Sequence, residues 1–204
     1  MADAPERPVG RIRWRRFLAV FTAGFFGAVG LMVAVAQDAL AVSFAVAGVP
    51  LKISADLLRG NGFVAFGTID REVDGTLHPV VVNAFRHAHL DEFCQSVVMP
   101  APFIGPVTLR ITSPDVSAED LVTDAQVIRG DITYKDIETN IDASTVTEGP
   151  RGVRGARGAS GTQADEVIVK NLRQVAWAST AETLHLERST TVVLPGRHDC
   201  FDDQ

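Results

Sequence analysis

Along most of this chain, apolar and polar residues alternate with a period of two, the signature of a strand with one buried face. Val42, Phe44 and Val46 alternate with small residues. Beyond Gly48 and Pro50 the pattern resumes at Leu51, Ile53 and Ala55, with Lys52, Ser54 and Asp56 on the opposite face. Gly60-Asn61-Gly62 reads as a tight turn and Phe63 to Ile69 as the next strand. Asp74-Gly75 accepts positive φ angles, so a two-residue hairpin turn is expected before a returning strand over Leu77 to Phe85. Pro79 lacks an N–H, which puts the start of that strand at a sheet edge.

Phe85 to Met99 fits a helix or a strand, and the strand is preferred. Pro100, Pro102, Gly105 and Pro106 read as a loop, followed by a strand over Val107 to Ile111 that Pro114 ends. Ser117 ahead of Glu119 and Asp120 resembles a helix cap, but Leu121, Thr123, Ala125 and Val127 return to a spacing of two. Ile132, Tyr134, Ile137 and Ile141 continue the β-rich stretch, and a last β unit runs from Val167 to Leu194. Residues 196–204 form a polar tail anchored by Cys200 and Phe201. The expected fold class is mainly β: a single β-rich domain, built as a curled sheet, a sandwich or a β-solenoid-like stack, after an N-terminal hydrophobic helix.

Two stretches break the alternation. The first is Arg11-Ile12-Arg13-Trp14-Arg15-Arg16, an apolar run from Phe17 to Ala36, and Ala39-Leu40-Ala41. Basic flank, apolar run and small residues follow one another as in a secretory signal, with Ala39 and Ala41 at the positions a signal peptidase inspects. Residues 1–41 are therefore expected to be a signal peptide or a signal anchor, with cleavage after Ala41 preferred. A retained 20-residue run is long enough to cross about 30 Å of hydrocarbon and leaves the topology unchanged. Residues 42–204 become the extracytoplasmic domain in either case. The second stretch is 148–163, where Gly149, Gly152, Gly155, Gly158 and Gly161 recur every third residue with Arg151, Arg154 and Arg157 in register. The spacing is collagen's, but the segment is too short for a triple helix and sits between strands. A flexible Gly/Arg-rich loop is expected there.

Charge narrows the partners. Five of the 19 Lys and Arg residues and three of the 25 Asp and Glu residues lie in the first 41, so the remainder carries 14 against 22, a net −8. An acidic domain offers nucleic acid and anionic membrane surfaces little to bind. Cell-envelope or membrane lipid, or another envelope protein, remain as candidate partners. The two cysteines, Cys94 and Cys200, both fall in the exported part, where lone cysteines pair. The expected Cys94–Cys200 disulfide ties the polar tail to the middle of the domain.

Candidate chemistry is sparse. His87, His89 and Asp91 project from one face of a strand, and imidazole with carboxylate is a zinc-ligand type. The motif resembles part of the metallo-β-lactamase metal motif, but Glu92 stands where another histidine is needed. The preferred reading is a solvent face opposite Ala88 and Leu90, with no metal or other cofactor assigned. A serine hydrolase needs a nucleophile on a sharp turn, and no Gly-x-Ser-x-Gly occurs; Gly158-Ala159-Ser160-Gly161 is one residue short. Glu119/Asp120 and Asp165/Glu166 read as loop and cap residues, and Trp177 as core.

Several features together resemble a family of uncharacterised actinobacterial exported proteins, a domain of unknown function. They are Ala39-Leu40-Ala41-Val42-Ser43-Phe44, Gly62-Phe63, Asp74-Gly75 with Pro79-Val80, Ala84-Phe85, Cys94-Gln95-Ser96-Val97, Trp177-Ala178-Ser179-Thr180 and Cys200-Phe201. The resemblance implies a secreted or envelope-associated protein of a Gram-positive cell, with Cys94 and Cys200 as the matching pair. Some members carry the label cholesterol esterase, which the residues here do not support. The expected function is that of an exported, non-enzymatic envelope protein, a structural or binding module with an apolar or lipid molecule as candidate ligand. The alternative is a secreted lipid esterase of the Ser/His type.

Overall fold

The computed structural model describes residues 48–71, 75–101 and 105–202, together with Trp14, Phe17, Leu18, Val20, Phe21, Thr22, Gly24 and Phe25. The chain divides into two units, 1–40 and 41–204. In the first, the eight described residues are helical, and Thr22 Oγ1 donates to the Leu18 carbonyl one turn back. Among the described residues no helix is long and apolar enough to cross a membrane, so the hydrophobic helix expected after the Arg cluster is not shown as a span. Ala39, Ala41 and the strand expected at Val42 to Val46 lie outside the described residues.

Among the described residues the second unit is one antiparallel sheet of seven strands: β1 (Leu51–Arg71), β2 (Leu77–Ala101), β3 (Gly105–Lys135), β4 (Glu138–Asp142), β5 (Ser160–Thr180), β6 (Thr183–Glu187) and β7 (Thr190–Pro195). The mainly β, single-domain expectation holds, in its curled-sheet form, because the sheet curls far enough to close. β5 pairs with β1 on one edge and with the second half of β3 on the other, so β1, β2, β3 and β5 form a barrel. β6 and β7 continue the line of β5 along the first half of β3. The stagger is steep. Leu51 pairs with Val97, Val97 with Leu109 and Leu109 with Val193, yet Leu51's own partner on the other side is Ala176. Such a shift on closure means strongly tilted strands around a narrow interior.

Strands this long stay closed because their alternation is reset at two levels. On β1 the inward residues are Leu51, Ile53 and Ala55, then Leu58 and Gly60, then Phe63. The resets fall at Asp56 and Gly62 on β1, Arg86 and Glu92 on β2, Pro114 and Asp120 on β3, and Asp165 and Asn171 on β5, where ladder partners are missing. Each strand bends at one of its two resets through a left-handed residue, at Gly62, Glu92, Asp120 and Asn171. Partner strands skip residues together at these levels, so the register is kept while side-chain parity flips. The resets explain two differences from the sequence reading. Gly60-Asn61-Gly62 is inside β1, because Gly60 lets the Phe85 ring lie against its backbone, 2.2 Å from where a Cβ would stand. Pro114 does not end β3, since its missing N–H falls where no ladder bond is made. β1 and β2 do form a hairpin, but Arg71 pairs with Leu77, so the connection is longer than two residues; Asp74 lies outside the described residues. Pro79 does lie at an edge: β2 there pairs only with β1. β2 and β3 run into the expected loop at 100–106, with Pro100 paired to Pro106 and Ala101 to Gly105; Pro102 lies outside the described residues.

The interior is filled by Phe63, Phe85, Phe93, Leu90, Val116 and their neighbours, with the Phe63 and Phe85 rings 5.0 Å apart. A second apolar cluster lies outside the barrel. Val64, Phe66, Val82 and Ala84 face outward and are covered by Ala143 and Val146 from the connection between β4 and β5. That connection carries the Gly/Arg stretch, and its triplet spacing has a packing cause. Cβ atoms at Gly149 and Gly155 would stand 2.4 Å from Val64 and 2.5 Å from Ala143, while Gly152 and Gly158, each three residues further on, take positive φ.

Candidate functional site

The rungs between the two resets present a cluster of titratable groups on the outside. There Leu58, Gly60, Ala88, Leu90, Val116 and Ala118 point inward, and the residues alternating with them point out. Three rows cross the sheet in register: Leu57–Asp91–Asp115–Glu187, Arg59–His89–Ser117–His185 and Asn61–His87–Glu119–Thr183. The lower two rows line a shallow hollow of about 420 Å³.

Of the three candidates read from the sequence, the structure brings His89 and Asp91 together. His89 Nε2 lies 3.1 Å from Asp91 Oδ1 and 3.3 Å from Asp115 Oδ2. Those three side chains form the one group among the described residues whose ligand atoms are close enough to share an ion. His87 is one rung away and is not part of it. Asp115 was missed because Pro114 reads as a strand end. The signal was present in Asp115, Ser117 and Glu119 alternating with Val116 and Ala118.

Above His87 a larger groove of about 640 Å³ separates β2 and β3 from the Gly/Arg connection, with Glu119, Asp120 and Glu182 on one side and Arg151 and Arg154 on the other. Arg86 closes its floor, donating from Nη2 to the Thr147 carbonyl (2.8 Å) and from Nε to that of Gly149 (3.2 Å). Asp142 holds the base of the connection. It accepts from the Ser144 amide and hydroxyl and from the Gly158 amide, and the Ser144 bonds foremost keep its carboxyl below the usual carboxylate range.

The expected disulfide is formed: Cys94 and Cys200 are joined, with Cα atoms 5.8 Å apart. It fastens the C-terminal segment over the outward side of β2. The Cys200 amide donates to Ser96 Oγ, Thr108 Oγ1 donates to the Gly196 carbonyl, and Lys52 pairs with Asp199 at 3.4 Å. Trp177, expected in the core, is half-buried outside it. Ala176 takes the inward position, and Trp177 stacks on His78 at 3.7 Å.

Ser117 lies between His89 and His185 in its row, but among the described residues no hydrogen bond joins it to either ring. Glu166 of the Asp165/Glu166 pair is engaged by Lys135, and Asp120 of the other pair sits at a reset. No curated protein and no solved structure matches the chain. The sequence profile of a family of unknown function, DUF6230, matches residues 47–201, and the chain belongs to that family.

Proposed function

We propose that this protein is an exported, non-enzymatic module of the cell envelope that works through the outer surface of its barrel. The observation that carries the outer-surface part is the filled interior. The void between Phe85, Leu90, Phe93 and Gln174 is about 40 Å³, room for water but not for an acyl chain. That favours a binding or structural surface over a lipid held inside the sheet. Export rests on the basic, apolar and small-residue order of 11–41 and on two cysteines placed to bond. The esterase alternative gains no support from Ser117, which lacks a base in hydrogen-bond contact.

Intact mass under non-reducing conditions, measured on protein recovered from the medium and envelope of an actinobacterial host, tests the reading. A chain beginning at Val42, or a full chain held in the envelope, lighter in either case by the two hydrogens of a disulfide, is expected. Protein confined to the cytoplasm with two free thiols overturns it. In parallel, ester hydrolysis by the full chain should not exceed that of Ser117→Ala. Activity that the substitution abolishes would remove the non-enzymatic half.

A further inference from the structure

We propose that His89, Asp91 and Asp115 form a surface site for a divalent transition metal, with zinc as the representative ion. The first support is spacing. A tetrahedral ion with bonds of about 2.0–2.2 Å holds its donors roughly 3.3–3.5 Å apart. His89 Nε2 stands 3.1 and 3.3 Å from the two carboxylate oxygens, and all three donor atoms lie within 4.8 Å of one another.

The second support is charge. Asp91 and Asp115 are direct cross-strand partners, an arrangement that like charges disfavour. Glu187 follows them in the same row and Glu119 lies two rungs away; the nearest cations in register are Arg59, one rung away, and Lys170, which stands beyond Leu57 at the far end of the row. A dication between Asp91 and Asp115 turns this repulsion into attraction. The imidazole selects the class of ion: nitrogen with carboxylate oxygen suits zinc and its neighbours, while magnesium and calcium take oxygen alone.

The third support is rigidity. The backbone under the site is clamped, since the buried Ser113 hydroxyl lies 2.6 Å from the carbonyl oxygens of both Asp115 and Glu187. Neighbouring Leu90 and Val116 are buried in the core. Donors on such strands need little reordering to bind. Three protein ligands leave the fourth position open to water or to a donor from a partner, as in zinc sites that are not closed by the protein itself. The site is independent of the function proposed above.

The competing arrangement is His89 hydrogen-bonded between the two carboxylates without metal, and the two are separable. The full chain, with its disulfide formed, is stripped with chelator and titrated with zinc against a chromophoric competitor. One equivalent is expected to bind, and His89→Ala and Asp115→Asn should each weaken it by roughly a hundredfold or more. His87→Ala, one rung away, should leave it unchanged. Asp115→Asn keeps shape and hydrogen bonding, so it carries the test if His89→Ala disturbs folding. The His89 ring resonances should shift on adding zinc while those of His87 stay put. Zinc bound no more tightly by the wild type than by His89→Ala and Asp115→Asn, or an equal loss in His87→Ala, overturns the proposal and leaves the histidine bridge as the account of the cluster.

Discussion

The outside of the barrel is finished differently at its two covered regions and at the bare rungs between them. Under the β4–β5 connection the outward residues are Val64, Phe66, Val82 and Ala84. Under the C-terminal segment they are Cys94, Ser96 and Thr108, small groups that bond the chain above them. Between the covers, His89 and Asp91 keep about 40% of their side-chain surface in solvent. The covers also differ from each other. One is fastened covalently, while the other rests on glycine contacts, the Arg86 bonds and Asp142. The chemistry of an outward position therefore reports what lies above it, which alternation alone does not.

The largest expected effect comes from the covalent cover. Cys94→Ser with Cys200→Ser opens a bridge with a sequence separation of 106, which should cost about 4–5 kcal/mol in the chain-entropy account. The denaturant midpoint should fall accordingly. A midpoint within error of wild type would mean that the Gly196, Ser96 and Lys52 contacts hold this cover alone, and the contrast between covers would vanish.

Next comes the glycine-packed cover. A Cβ at Gly155 would stand 2.5 Å from Ala143 Cβ and 3.0 Å from the Phe66 ring, so Gly155→Ala should cost about 1–3 kcal/mol. It should also speed tryptic cleavage at Arg151, Arg154 and Arg157. Gly152→Ala meets nothing within 4 Å and suffers only from its φ of 84°, a penalty of about 1–2 kcal/mol without loss of the contacts beneath. Equal proteolysis in the two variants would refute close approach as the reason for the spacing.

Much of this was legible in the sequence. Alternation at Leu51, Ile53 and Ala55, or at Val167 and Val169, identifies strands because burial on one face is a local property. Cys94 and Cys200 were legible as a pair because no other cysteine competes. The closure was not legible, since it depends on β5 meeting both β1 and β3 and no local pattern encodes a second neighbour. The resets hid strand continuity, because Gly62 and Pro114 carry turn chemistry and are used here inside strands. For the same reason half of the candidate site was visible. His89 and Asp91 are neighbours on one strand, whereas Asp115 joins them only through the register of β2 with β3.

The smallest expected effects are two carboxylates with opposite pH dependence, one inside a cover and one outside. Asp142 has a depressed pKa. Its contribution is therefore present above the unfolded value of about 3.9 and is lost as pH falls through the folded value. The amide resonances of Ser144 and Gly158 should titrate with it, and Asp142→Asn should loosen the connection at neutral pH but match wild type in acid. Asp124 is shifted upward, first by burial and then by the charge of Asp70. In the window above about 3.9 the folded state holds more protons than the unfolded one, so stability falls as pH rises through it. Asp124→Asn should raise the neutral-pH Tm by about 1–2 °C and leave it unchanged at low pH. A lower Tm at neutral pH would show that the Asp124 carboxylate makes a stabilising contact that outweighs its desolvation, and the outward surface away from the covers would then be held by more than its strands.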